Sequence, residues 1–391
     1  MSLTNTVAEA VEMGDSHVES HLHPEPTFDL AAHPSPTGRE EIWRFTPLKR
    51  LRGLLDDGPA SAGTLARETS LPAGVTLTEI ALDEADAARV AAPFDRLAAL
   101  AARQAPTALL LDVPAEADLA EPVRLQLTGT GLEAAVAGRL VVRVGRFARA
   151  VVVIEHAGST VYNAFTSVEV GDGAQLDLVH VNDWADDAVH AEQINARVGR
   201  DATLRQFEFT LGGDLVRTST NVDYAGPGGT AELFGLYFAD AGQHFEHRLF
   251  VDHNAPKTIS NVVYKGALQG QDAHTVWIGN VLIRKVAEGI ETYEENRNLV
   301  LTDGCQADSV PNLEIETGEI EGAGHASAVG RFDDEQLFYL RSRGISEAEA
   351  RKLVVRGFFD DLIRRVQVPE LAEKLSAQVE DELQRNVLKE L

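Results

Sequence analysis

Thiols are almost absent from this chain: Cys305 is the single cysteine among 391 residues. One thiol forms no intrachain disulfide. Without a CxxC pair the chain holds neither a zinc ribbon nor a four-thiolate cluster of its own. Aromatic residues are scarce at 6%, and basic residues are outnumbered, 35 Lys and Arg against 61 Asp and Glu, for a formal net charge of -26. Nucleic acids are gripped by Lys and Arg that release counterions from phosphates. The charge balance therefore argues against DNA or RNA partners, and equally against an anionic membrane surface. No apolar run approaches the roughly 18 residues that suggest a spanning helix. The stretch from Met1 to Glu19 is polar and acidic, unlike a signal peptide. The expected location is the cytoplasm.

Common catalytic signatures are missing as well. There is no GxxxxGK[ST] phosphate loop, no GxGxxG, no HExxH and no GxSxG. Cys305 sits in Asp303-Gly-Cys-Gln-Ala307 with no base beside it, and reads as a structural thiol. What the chain does have is an apolar fraction of 44% and 32 glycines. That suits a sizeable, turn-punctuated core spread over two or three domains.

Four regions follow from the pattern. Residues 1–40 read as a flexible acidic arm, with His21, His23 and His33 among prolines and acids as weak candidates for touching a metal. Residues 41–122 are expected to be mainly helical. Trp43, Phe45 and Leu48 would pin the start of this region to a neighbour, and Ala81 to Pro106 has helical spacing with a break at Pro93. Residues 123–330 are a long β region of runs such as Val151-Val-Val-Ile-Glu155, Gln175-Leu-Asp-Leu-Val-His-Val181 and Thr203-Leu-Arg-Gln-Phe-Glu-Phe209. Residues 331–391 are helical. Ser346-Glu-Ala-Glu349 is a capping box, and Leu371, Leu375, Val379, Leu383 and Val387 recur every four residues. Such a stripe must be buried, and a partner is one candidate for covering it.

The β region also repeats. Val170-Gly-Asp-Gly-Ala-Gln-Leu-Asp177 and Val198-Gly-Arg-Asp-Ala-Thr-Leu-Arg205 match at a spacing of 28, and Gly229-Thr-Ala-Glu-Leu233 gives a fainter copy 29 further on. This fits coils of a β-solenoid, three short strands to a rung. An ordinary sandwich with coincident turns is the alternative.

Three sets of residues are candidates for chemistry. His247 and His253 share a face if they lie on one strand, as metal ligands or, more simply, as hydrogen-bonded surface histidines. His325 follows Gly322-Ala-Gly324, which permits close backbone approach, and imidazole is a good iron ligand. Asp177 and Glu208 would have to converge to serve a solenoid-type carbohydrate hydrolase, and nothing in the sequence brings them together.

The stretch His325-Ala-Ser-Ala-Val-Gly-Arg-Phe-Asp-Asp-Glu-Gln-Leu-Phe-Tyr-Leu-Arg-Ser-Arg-Gly-Ile345 resembles the C-terminal signature of the SufB/SufD family. So do Val263-Tyr-Lys-Gly266, Glu295-Asn-Arg-Asn-Leu-Val-Leu301 and Pro311-Asn-Leu-Glu-Ile315, while Trp43-Arg-Phe-Thr-Pro-Leu48, the short length and the lack of cysteines resemble its SufD branch. The resemblance implies a mainly β fold, a right-handed parallel β-helix flanked by N-terminal and C-terminal helical regions. It implies a non-catalytic scaffold for iron–sulfur cluster assembly that pairs with SufB through residues 123–330. The tail would dock the ATPase SufC, with Leu371, Leu375, Val379 and Leu383 as candidate contacts. Sulfur would come indirectly from a cysteine desulfurase, and the isolated chain could pair with itself. The isolated chain would hold no cofactor stably, and a transient cluster or iron would be shared with SufB. His325 is the implied ligand. Relatives commonly carry Cys-Ser-His-Gly where this chain has Ala323-Gly-His-Ala326. The thiolate would then come from the partner, with Cys305 a distant substitute. A stand-alone iron-binding protein using His247, His253 and His325 is the alternative reading.

Overall fold

The structure, a computed structural model, describes residues 25–58, 61–88, 90–331 and 334–386. The chain opens with β1 (Ala66–Ser70), β2 (Thr76–Ile80), α1 (Leu82–Asp86), α2 (Arg96–Gln104) and β3 (Ala108–Val113). A long run of strands follows: β4 (Val123–Thr130), β5 (Val136–Val144), β6 (Arg149–Ser159), β7 (Val161–Val170), β8 (Gln175–Trp184), β9 (Val189–Val198), β10 (Thr203–Thr210) and β11 (Leu215–Tyr224). It continues with β12 (Thr230–Ala239), β13 (His244–His253), β14 (Ile259–Leu268), β15 (His274–Ile283), β16 (Glu291–Val300), β17 (Gln306–Ile315) and β18 (Gly322–Arg331). Helices α3 (Asp334–Ser342), α4 (Glu347–Ile363) and α5 (Pro369–Asn386) close the chain.

The chain alternates between two sheets. Even-numbered strands from β4 to β18 pair in parallel in one sheet, and odd-numbered strands from β3 to β17 in the other. This is a parallel β-solenoid with two strands per coil, not three. The reason is strand length. β8 and β9 take ten residues each and the connections 185–188 and 199–202 take four, so a coil advances 28 positions from Gln175 to Thr203. Two long strands joined by tight turns flatten the coil into two layers.

The 28-residue match is therefore one coil. The fainter third copy is real but slipped, since Leu204 pairs with Ala231 and Gln206 with Leu233, an advance of 27 rather than 29. A slip of two keeps every side chain on its own face, which is why the pattern still matched. The shared Gly-x-x-Ala is a turn. Its third residue is left-handed in successive coils, Phe147, Gly173 and Asp201. Their amides stitch coil to coil by donating to the carbonyls of Asp172, Arg200 and Pro227.

Inward residues are sorted along each strand. In the even-numbered sheet apolar positions come first, Ile154 in β6 and Leu176 and Leu178 in β8, and polar ones last, His156, His180 and Asn182. In β9 of the odd-numbered sheet the order reverses: His190 and Glu192 precede Ile194 and Ala196. Consecutive strands cross the coil in opposite directions, so in the coils of β6 to β9 the polar halves meet along one edge of the interior and the apolar halves along the other.

Both outer faces are covered. α4 and α5 lie on the even-numbered sheet, where Val355, Phe359 and Leu362 meet Phe207, Phe209 and Phe234. The other sheet carries α2 and the N-terminal segment, with Trp43, Leu51 and Leu97 against Val189 and Leu215. Residues 41–122 are thus mixed rather than mainly helical. Their helices are five and nine residues long, and their strands serve to cap the solenoid, β1 antiparallel on β4 and β2 antiparallel on β3. Residues 25–40, expected as part of a flexible arm, are packed on the solenoid. Phe28 packs edge-on against Phe165 and His33 is buried, its Nε2 2.9 Å from the Thr27 carbonyl. His21, His23 and Val387 lie outside the described residues. Among the described residues no helix is long and apolar enough to cross a membrane.

Candidate functional site

The two ends of the solenoid differ. One ends in the short antiparallel strands β1 and β2, five residues each, and the other in the parallel strands β17 and β18, beyond which no strand pairs among the described residues. Two ten-residue edges lie open there, each a row of backbone groups able to pair with another chain. Pro311 sits in β17, as a proline can in an edge strand. Tyr293, Ile315 and Val329 are exposed large hydrophobic residues at this end.

His325 lies on β18, in register with Glu294 of β16. The inward column of the even-numbered sheet runs through Val262 and Glu294, so His325 points toward the interior of the coil. With no further coil beyond it, His325 remains exposed. Glu294 is 1% exposed, and neither of its carboxylate oxygens has a hydrogen-bond partner among the described residues. Burial raises its pKa to about 8. The sequence-based reading missed Glu294 because Tyr293, Glu295 and Arg297 alternate with Glu294, Asn296 and Asn298, and neither set looks like an apolar core face.

Cys305 is elsewhere. It sits in the turn before β17, half-buried, with Sγ 3.3 Å from the Gly270 carbonyl, and burial raises its pKa. Arg331, at the far end of β18, bonds Asp303 in that same turn at 2.8 Å. His325 is six strand residues from Arg331, about 20 Å at the usual rise. The structure does not bring Cys305 and His325 together.

His247 and His253 do share the inward face of β13, but they are buried, not on the surface. His247 lies 3.0 Å from Thr210 Oγ1 and stacks on Tyr237, while His253 meets Thr258 at 2.7 Å and Ser260 at 3.0 Å. Six residues of strand separate them, too far to share a metal. Asp177 and Glu208 lie on opposite faces. Asp177 pairs outward with Arg205 at 3.1 Å, and Glu208 turns inward toward Tyr264. They form no acid–base pair.

The tail stripe is also corrected. Leu371, Leu375, Val379 and Leu383 are buried against the chain's own sheet and α4. The phenylalanine-rich outer face of β10 and β12 needs that cover, so these four residues are not free to contact a partner. The exposed apolar residues of the tail are Phe338, Tyr339 and Leu353.

One internal cluster escaped the sequence-based reading. Ligand atoms of His156, His190 and Glu192 lie within 4.8 Å of one another. Trp184 Nε1 donates to His190 Nδ1 at 3.2 Å, which puts the ring proton on His190 Nε2, 3.6 Å from Glu192. Thr166 donates to the other Glu192 oxygen at 2.6 Å. A protonated ring nitrogen has no lone pair for a metal, so in this tautomer His190 offers no ligand atom there, and its Nε2 and the facing Glu192 oxygen have no hydrogen-bond partner among the described residues. Burial lowers the His156 pKa to about 4 and raises that of Glu192 to about 7.

The family model described as SUF system FeS cluster assembly, SufBD core domain, matches residues 127–358. An iron–sulfur cluster assembly SufBD family protein of Mycobacterium bovis is 53% identical over 364 residues, 92% of each chain. One from Mycobacterium leprae is 52% identical over 363 residues, 91% of this chain and 93% of its own. A second Mycobacterium leprae protein of that description is 26% identical over 211 residues, 54% of this chain and 24% of its own.

Proposed function

The chain belongs to the SufBD family of iron–sulfur cluster assembly proteins, and from that membership we propose that it is a SufD-type scaffold subunit, non-catalytic by itself. It pairs with SufB, docks the ATPase SufC and works in the cytoplasm with sulfur delivered from a cysteine desulfurase. The observation that carries the pairing is the open end of the solenoid, two unpaired ten-residue edges flanking His325. A homologous solenoid brings matching edges to that end, and without SufB a second copy of this chain takes its place. The surface assigned to SufC is the outward side of the tail helices around Phe338, Tyr339 and Leu353.

The cluster is cargo. His325 supplies one nitrogen, and SufB supplies the thiolate that Cys305 is too distant to give. The test is co-purification with SufB and SufC, anaerobic reconstitution, and iron and acid-labile sulfide counted per complex. His325→Ala is expected to leave the complex intact with sharply lower cluster content, while Cys305→Ser changes little. Wild-type cluster content in the His325 variant would overturn the ligand role, and failure to co-purify would overturn the scaffold reading. The isolated chain is expected to hydrolyse ATP only at background.

A further inference from the structure

The last two coils enclose polar atoms for which the fold has no use. Glu294 has two carboxylate oxygens without partners, and the indole nitrogen of Trp277 and the hydroxyl of Ser309 have none either among the described residues. Glu294 and His325 are register neighbours in the even-numbered sheet, and Trp277 and Ser309 in the odd-numbered one. The four residues therefore form two facing pairs inside the terminal coils. Gly279 makes room for them. A Cβ there would lie 2.4 Å from Trp277 Cη2 and 2.7 Å from Glu294 Oε1, so the indole and the carboxyl meet over this glycine.

An unpaired buried carboxyl is costly in a folded protein, and an apolar residue of similar size in its place would be cheaper. One carboxyl, one indole N–H and one hydroxyl without partners, gathered behind one exposed imidazole, are the makings of a ligand site. Neighbouring strands are about 4.8 Å apart, so a carboxylate and an imidazole in register can reach one ion between them. Oxygen with imidazole nitrogen is a donor set that first-row divalent metals accept. We infer that Glu294 and His325 together bind one ferrous ion at the open end of the solenoid, with Glu294 as the inner ligand.

This rests on the scaffold reading only for the ion's destination, since the site itself lies within one chain. Binding exchanges the proton of Glu294 for the metal, and the freed proton leaves to solvent past His325. No electron is transferred. The Ser309 hydroxyl lies on the facing strand and is placed to hold a metal-bound water.

The test uses the full chain, alone and in its complex with SufB and SufC. Anaerobic Fe²⁺ and, as a spectroscopic stand-in, Co²⁺ are titrated, and bound metal is counted. Glu294→Gln is the principal variant, because it keeps shape and removes a buried ionisable group. It is expected to weaken Co²⁺ binding by about tenfold or more, the scale seen when groups at metal sites are removed, and to alter the Co²⁺ visible bands. His325→Gln should do likewise, and the double variant should be little worse than either. Circular dichroism of each variant checks the fold, and Glu294→Asp, which retains the carboxylate, is expected to keep part of the affinity. Wild-type Co²⁺ binding in Glu294→Gln overturns the assignment, as does absence of binding by the wild type both alone and in the complex. Failure to co-purify with SufB would count against the scaffold reading alone, because the titration on the isolated chain still stands.

Discussion

Arg217 and Asp95 face each other at 2.8 Å, with side chains only 2% and 3% exposed. Asp95 also caps α2 by accepting from the Ala98 amide at 2.9 Å. Arg217 lies 4.4 Å above the Trp43 ring and 3.4 Å from Glu246, which accepts from Thr46 at 2.7 Å. One guanidinium thus joins β11 to α2 and to the N-terminal segment. Although burial opposes its charge, His244, Arg217 and Arg248 together hold the Glu246 pKa well below the usual carboxylate value.

Arg217→Met should therefore be strongly destabilising. It leaves Asp95 and Glu246 buried with weakened compensation, and breaking such a pair costs about 3–5 kcal/mol. Asp95→Asn should cost less, since asparagine still caps a helix. Urea unfolding of both variants and of the double variant gives the coupling. A loss for Arg217→Met no larger than that of a typical surface substitution would contradict this account.

The tail stripe gives a second expectation. Leu375 is fully buried between α5 and the chain's own sheet. Leu375→Ala should cost about 2–5 kcal/mol with or without a partner present. Phe338→Ala, at an exposed position, should leave stability unchanged and weaken SufC binding. Calorimetry with SufC beside thermal unfolding separates the two effects.

Glu192 predicts a loss of stability as pH rises from acid to neutral. Burial raises its pKa in the folded chain to about 7 from the ordinary glutamate value of 4.5. The folded state then holds a proton that the unfolded state releases, so stability is full below about pH 4.5 and falls as pH rises toward 7. The loss is on the order of 3 kcal/mol at the usual conversion. Glu192→Gln should remove that slope, measured as unfolding midpoints at pH 5 and pH 8.

The buried histidines act in the other direction. Burial lowers His156 to about 4 and His180 and His253 to about 3. The unfolded chain takes up protons at these sites below about pH 6.5 while the folded chain does not, so their contribution is complete above that pH and is lost as pH falls. Each group adds a slope of about 1.4 kcal/mol per pH unit. His253→Gln should lower the acid-side slope, read from melting temperatures between pH 4 and pH 7.

The repeat could be read from the sequence because its turn has a fixed chemistry. Gly171 to Ala174 and Gly199 to Ala202 occupy the same place in successive coils. The number of strands per coil could not, since strand propensity marks β runs without saying where they bend. The tail stripe was visible, but its destination was not, because an apolar helix face fits the chain's own sheet as well as a partner. At the candidate site His325 stood out through its flanking residues. Glu294 did not, since its burial depends on a coil of the opposite sheet that periodicity alone cannot place against it.

The unequal ends of the solenoid also bear on how large an assembly can grow. A stack with two adhesive ends would add units without limit and make a fibre. Here the edge at one end is the short antiparallel pair β1 and β2, five residues each, and the edge at the other is β17 and β18, ten residues each, so the two ends offer unequal ladders to a neighbour. A stack that pairs only through the longer edges uses them up in two molecules and stops there.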